Sequence, residues 1–239
     1  MEPKENINII SRETRGKIEK NTELMEHVSN KGIITDLIKK AEYGTPILKL
    51  GHGDPKLMIT AGIHGDELPP QIAAMWLIED LNSKINGTLY IIPFAVPNAT
   101  MKNSRRFKGF DMNRTASKSG FISNKIVNTV KKLEIDALAD FHSTKPGSNP
   151  GIQSVFCSKK PCYQSYLMAE HVTNHTPSKM ICHKEAGTLY KGAIEDECNL
   201  AGIPAITCEV VSKNGTVDGK SPEKSYLQMK AYLEYFKAI

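Results

Sequence analysis

The segment TLYIIPFAV (88–96) carries hardly a polar side chain along its length, and this constrains the fold more than any other feature of the chain. A strand with one face in water alternates apolar and polar residues. One without alternation must be covered on both faces, which is the situation of an inner strand in a largely parallel sheet. Similar runs recur: TPILKL (45–50), KLMITAG (56–62), DALADFH (136–142), QSVFCS (153–158), KMICHK (179–184) and AITCEVV (205–211). Between several of them lie stretches with helical spacing. In ELPPQIAAMWLIEDLNSK (67–84) the prolines suit a first helical turn, and Ala73, Trp76, Leu77 and Leu81 share a face. SNKIVNTVKKLEI (123–135) turns Ile126, Val127, Val130 and Leu133 inward, and shorter helices are expected near 162–175 and 193–201. A last helix opens with Ser221 as N-cap and Pro222 at its first position, with Tyr226, Met229, Leu233 and Phe236 as its stripe.

This order predicts an α/β fold: a single domain with a mixed, mostly parallel twisted sheet and helices on both faces. The strands on either side of GHGD (51–54) are expected to form a hairpin. Residues 1–44 are polar and weakly periodic and read as an N-terminal extension, with 45–239 as the main domain.

Charge excludes some classes of function. The balance is 31 − 26 = +5, and the Lys-Lys pairs at 39–40, 131–132 and 159–160 are scattered, so no nucleic-acid footprint is expected. No run approaches the ~20 apolar residues of a membrane span, and the start lacks a signal-type apolar stretch, so no membrane partner and a cytoplasmic location are expected. The five cysteines, Cys157, Cys162, Cys182, Cys198 and Cys208, are odd in number and read as reduced thiols. Cys157 and Cys162 have no second pair to complete a metal site.

In such a sheet, chemistry collects at the carboxyl ends of strands. AGIHGDELPP (61–70) places His64 and Glu67 there, and an imidazole and a carboxylate three residues apart on a turn can reach one cation. An H-x-x-E pair also arises often by chance. His142 ends the strand DALADFH and could supply a third ligand, or could be a buried histidine satisfied by Asp140. Glu209, inside the apolar run 206–211, is costly without a partner or a chemical role, and its desolvation would suit a general base. The cationic loop NSRRFKGFDMNRTAS (103–117) offers Asp111, Asn113 and Arg114 to hold a carboxylate, with Arg105 or Arg106 upstream to stabilise an oxyanion. A solvated loop is the plainer reading. His171 and His175 have metal-like i, i+4 spacing without a third ligand and read as a surface pair; His27, His52 and His183 have no partners.

HGDE (64–67), DMNR (111–114), DFHS (140–143) and TCEV (207–210), in this order and spacing, resemble the zinc carboxypeptidase superfamily. The likeness points to a small member, similar to the murein-peptide amidases and to the succinylglutamate desuccinylase/aspartoacylase branch, and covers roughly residues 45–239. It implies a catalytic domain with one Zn²⁺ per chain on His64, Glu67 and His142, and Glu209 as general base. Asn113 and Arg114 match the pair that grips the substrate carboxylate. Arg106 looks like the carbonyl-polarising arginine, with Arg105 the alternative, and Tyr190 is a candidate substrate cap. NRTAS after Arg114 departs from the continuation usual in peptidase members, and the chain is too short for the extra β-rich domain of aspartoacylase-type members.

The implied function is a zinc metallohydrolase, a metallocarboxypeptidase that uses Glu-assisted attack of metal-bound water on an amide beside a free carboxylate. Its substrates are small peptides, cell-wall peptides among them. The alternatives are an N-acyl-amino-acid deacylase and a catalytically silent α/β metabolite-binding module.

Overall fold

The apolar runs become eight strands of one sheet in the computed structural model, which describes residues 6–29, 31–81 and 85–239. The strands are β1 (Ile7–Ser11), β2 (Thr45–His52), β3 (Lys56–Ala61), β4 (Gly87–Ile92), β5 (Ala137–Thr144), β6 (Ser154–Lys160), β7 (Lys179–Glu185) and β8 (Ala205–Val211). The helices are α1 (Thr22–Met25), α2 (Gly32–Ala41), α3 (Leu68–Leu81), α4 (Pro97–Met101), α5 (Ile122–Lys132), α6 (Tyr163–His175), α7 (Ile194–Leu200) and α8 (Ser221–Tyr235). The last three residues of the expected 67–84 helix, and the first five of the expected extension, lie outside the described residues.

Strand order is β1-β2-β4-β3-β5-β8-β6-β7. The central pairs β4–β3, β3–β5 and β5–β8, and the outer pair β6–β7, are parallel; β1–β2, β2–β4 and β6–β8 are antiparallel. The hairpin expected around GHGD does not form, because β4 lies between β2 and β3: Ile91 faces Leu48 on one side and Ile59 on the other. Buried within the sheet, β4 needs hydrogen-bond partners along both edges. One neighbour supplies each, and the GHGD segment spans the width of β4.

Alternation along the inner strands separates two cores. Leu57, Ile59, Leu89, Ile91, Ala139, Phe141, Ile206 and Cys208 face the side covered by α2, α3, α6 and α8. Met58, Ile92, Leu138 and Ala205 face the side covered by α5 and α7. Helix α3 packs against the sheet, α2 and α8, so it is buried through its first two turns rather than along one stripe. The first segment joins the same assembly: β1 pairs with β2, and Ile18, Leu24, Ile34 and Leu37 are buried in the first core. Helix α8 starts at Ser221, with Lys220 in the cap position; the buried Ser221 Oγ caps nothing and has no partner among the described residues.

Candidate active site

Period-two alternation puts Asp140, His142, Thr207 and Glu209 on the α5–α7 face, where β5 and β8 end. In register, Asp140 lies opposite Thr207 and His142 opposite Glu209. Next to them, β3 ends at Ala61 and the chain turns through His64 and Glu67 into α3. Gly65 allows this turn to press against α4: a Cβ there would lie 2.0 Å from the carbonyl carbon of Ala99. Gln71, one turn into α3, holds the turn from below. It donates to the Glu67 carbonyl at 2.9 Å and accepts from Thr100 Oγ1 at 2.8 Å.

The two histidines are oriented by carboxylates. His64 Nε2 meets Asp111 Oδ1 at 2.8 Å, and His142 Nε2 meets Asp140 Oδ2 at 2.9 Å. Asp140 is itself held by Thr60 Oγ1 across the β3–β5 pair. Both rings therefore turn Nδ1 inward onto one carboxylate: His64 to Glu67 Oε1 and His142 to Glu67 Oε2, each at 2.7 Å. Arg105 Nη1 also donates to Oε1 at 2.7 Å, and the Ser143 N–H to Oε2 at 3.2 Å.

Protons decide what this arrangement fits. A carboxylate only accepts, so each of the four imidazole nitrogens that meets one must carry a proton. Two doubly protonated rings, with centroids 5.2 Å apart, then lie buried side by side. One divalent cation held by His64, Glu67 and His142 would supply the same charge in place of two protons. The Nε2–carboxylate contacts are the usual means of orienting metal-binding imidazoles. His64, Glu67 and His142 offer ligand atoms within 4.8 Å of one another, a nitrogen–oxygen donor set suited to zinc.

The electrostatics agree with the geometry. Burial opposes ionisation of Glu67, but the charges of His64 and His142 outweigh it and hold its carboxyl well below the usual range. Burial likewise opposes protonation of both histidines. The Glu67 charge raises His64 regardless, and the Asp140 and Glu67 charges raise His142 well above its ordinary value. Glu209 behaves oppositely: burial pushes it up to about 8 against the pull of His142, and its Oε2 has no partner among the described residues.

A cavity of about 290 Å³ opens over these residues, lined also by Arg105, Asn113, Arg114, Tyr190 and Glu195. Arg105 is thus at the site, whereas Arg106 donates to the Gly109 carbonyl and does not line the cavity. Arg114 lies over the Tyr190 ring at 5.2 Å, and Tyr190 packs edge-on against Phe156. Asp111, grouped by sequence with Asn113 and Arg114 as a carboxylate holder, instead orients His64. Asn113 Nδ2 lies 3.5 Å from His142 Nε2, and its Oδ1 accepts from the Ile194 N–H. Sequence reasoning gave no role to Gln71, Ser143 or Glu195; the D-x-H spacing in DFH was the available signal for the Asp140–His142 contact. His171 and His175 stack on each other on α6, apart from the cavity, and all five cysteines are free thiols.

The family model of the succinylglutamate desuccinylase/aspartoacylase catalytic domain matches residues 53–235. A search of curated proteins finds no match. Among solved structures, an aspartoacylase family protein from Mesorhizobium loti is 20% identical with a TM-score of 0.60, over 82% of this chain and 62% of that one. A succinylglutamate desuccinylase from Silicibacter is 16% identical with a TM-score of 0.67, over 84% and 64%. The cell shape determinant Csd4 from Helicobacter pylori is 15% identical with a TM-score of 0.66, over 82% and 56%. These identities speak for the fold, and the chain spans less than two thirds of the length of each. No helix among the described residues is long and apolar enough to cross a membrane.

Proposed function

The chain belongs to the succinylglutamate desuccinylase/aspartoacylase catalytic family, and from that premise we propose that it is a zinc-dependent hydrolase of N-acyl amino acids. It cleaves the amide beside the amino acid's free carboxylate. The observation that carries this reading is the pair of imidazoles that turn Nδ1 onto Glu67 next to the unpartnered oxygen of Glu209.

His64, Glu67 and His142 hold the ion. Bound there, zinc supplies Lewis acidity, which acidifies water from a pKa of 15.7 toward about 7 and polarises a carbonyl. Glu209 takes the proton of the attacking water on its free Oε2, with its carboxyl at about 8, near the working pH of a general base. The same carboxyl returns that proton to the leaving amine. Arg105, beside Glu67, donates to the carbonyl oxygen as negative charge gathers on it. Arg114 and Asn113 receive the substrate carboxylate, and Tyr190 covers it.

An N-acyl amino acid is favoured over a peptide by the family and by the cavity, whose volume of about 290 Å³ is at the small end for ligand sites. A panel of N-acetyl and N-succinyl amino acids against short peptides, γ-linked and D-residue ones included, tests this with the zinc-loaded protein. Cleavage of peptides alone would return the reading to a carboxypeptidase. Cleavage of neither would point to a silent binding module.

A further inference from the structure

Glu195 takes no part in the chemistry above, yet it lines the same cavity while being only 4% exposed. Its orientation is fixed by Asn199, whose amide is fully committed. Asn199 Oδ1 accepts from Ser165 Oγ and the Ala205 N–H, and Nδ2 donates to the Ala205 carbonyl and, at 2.7 Å, to Glu195 Oε1. The other Glu195 oxygen accepts no hydrogen bond among the described residues. The charges that act on Glu195 are those of Asp196 and Asp140, both acidic, and burial with these pushes it up to about 8. Of the cavity's arginines and lysine, Arg105 is paired with Glu67, Arg114 lies over Tyr190, and Lys145 makes no ion pair with Glu195 among the described residues. A buried carboxyl fixed toward a cavity without an ion-pair partner is a site that a cationic occupant completes.

Its position says which part of the substrate that occupant is. The Ile194 N–H, one residue before Glu195, donates to Asn113 Oδ1, and the Ala116 N–H, two residues beyond Arg114, donates to the Gly192 carbonyl. Glu195 is therefore adjacent to the pair assigned to the carboxylate of the amino-acid half. We propose that Glu195 determines specificity, selecting N-acyl amino acids whose side chain ends in an ammonium group. This rests on the hydrolase reading above. The ammonium donates to the free oxygen in a charge-assisted hydrogen bond.

The test compares N-acetyl-L-ornithine, its lysine and 2,4-diaminobutyrate homologues, and the isosteric N-acetyl-L-norleucine with the zinc-loaded enzyme. One amino-terminated substrate should exceed norleucine in kcat/KM by about tenfold or more, and Glu195→Gln should bring that ratio close to one. Glu195→Asp retreats by one methylene and should move the optimum toward the longer lysine side chain, which keeps the test decisive if the glutamine variant does not fold. Norleucine turnover equal to all three amines, or a preference that survives Glu195→Gln, overturns the proposal. If no acyl-amino acid is cleaved the hydrolase reading falls, and calorimetric binding of free L-ornithine against L-norleucine then decides. Binding about tenfold tighter for ornithine, lost in Glu195→Gln, supports the role of Glu195, and equal binding refutes it.

Discussion

Zinc binding to the metal-free protein should release about two protons per ion. The count follows from the hydrogen bonds. His64 and His142 each present Nε2 to an aspartate and Nδ1 to Glu67, so each ring carries two protons, and both are raised above their ordinary values. An ion held by the two imidazoles would displace one proton from each ring and leave the Nε2–H groups donating to Asp111 and Asp140. By linkage, affinity then rises about a hundredfold per pH unit while both rings are protonated, roughly 2.7 kcal/mol per unit, and levels off once they titrate. The sign for stability is the reverse. A histidine raised on folding contributes stability below its unfolded value, near 6.5, and loses it as pH climbs through the folded value. The metal-free protein should therefore weaken toward alkaline pH while the zinc form does not. Calorimetric titration of zinc into the metal-free protein, in buffers of different ionisation enthalpy, gives the proton count, and chelator competition gives the affinity. Release near zero at about pH 6.5, or an affinity flat with pH, would refute the proton assignment and with it the fit of the site to the ion.

Glu209→Gln should keep its zinc and lose about 10²–10⁴ in kcat; near-normal turnover with full metal would remove Glu209 as the base. In the metal-free form the same variant should be the more stable one at alkaline pH. A carboxyl raised to about 8 on folding gives up stability as pH rises from its unfolded value to that point, and the amide has nothing to ionise. Arg105→Ala should lower kcat by about 10²–10³, whereas Arg106→Ala, which frees only the Gly109 carbonyl, should stay within about twofold; the opposite order would sink the placement. Gly65→Ala should cost about 3 kcal/mol or more in thermal unfolding, since its methyl would meet the Ala99 backbone at 2.0 Å. A loss below about 1 kcal/mol would mean that the turn does not need that close approach.

Much of the sheet was legible because inner strands reveal themselves locally: an unalternating run needs two covers wherever its partners come from. The partners are not local, and there the reading failed. GHGD has the turn chemistry of a hairpin and of a wide loop alike, and only the insertion of β4 decides between them. Of the candidate metal-site residues, His142 was readable because it stands within a strand, where period two fixes the side-chain direction, and His64 and Glu67 were readable from their three-residue spacing on the turn that follows β3. Arg105 and Arg106 were not separable, since an irregular loop has no period that says which of two neighbours turns inward. Glu195 escaped notice because an acid in the first turn of a helix is an ordinary, favourable placement, and nothing local reveals that this turn faces a cavity. Asp111 is conspicuous in the sequence but misleading there. Its neighbours suggest a carboxylate-binding loop, while its contact is with a residue 47 positions earlier.

Glu67 and Glu209 show how one cavity makes two different groups from the same side chain. Glu67 sits where four donors converge: His64 Nδ1 and Arg105 Nη1 on one oxygen, His142 Nδ1 and the Ser143 N–H on the other. Its charge is held so firmly that it fits the part of a ligand rather than of a base. Glu209, opposite His142 in the sheet register, keeps an oxygen without a donor among the described residues and is raised to about 8. Environments that push like groups apart in this way separate their roles. The separation originates in the backbone. Glu67 leaves a turn pinned by Gly65 and Gln71, so its carboxylate is carried to the histidines. Glu209 is fixed by strand register opposite His142, with an oxygen that no donor among the described residues occupies.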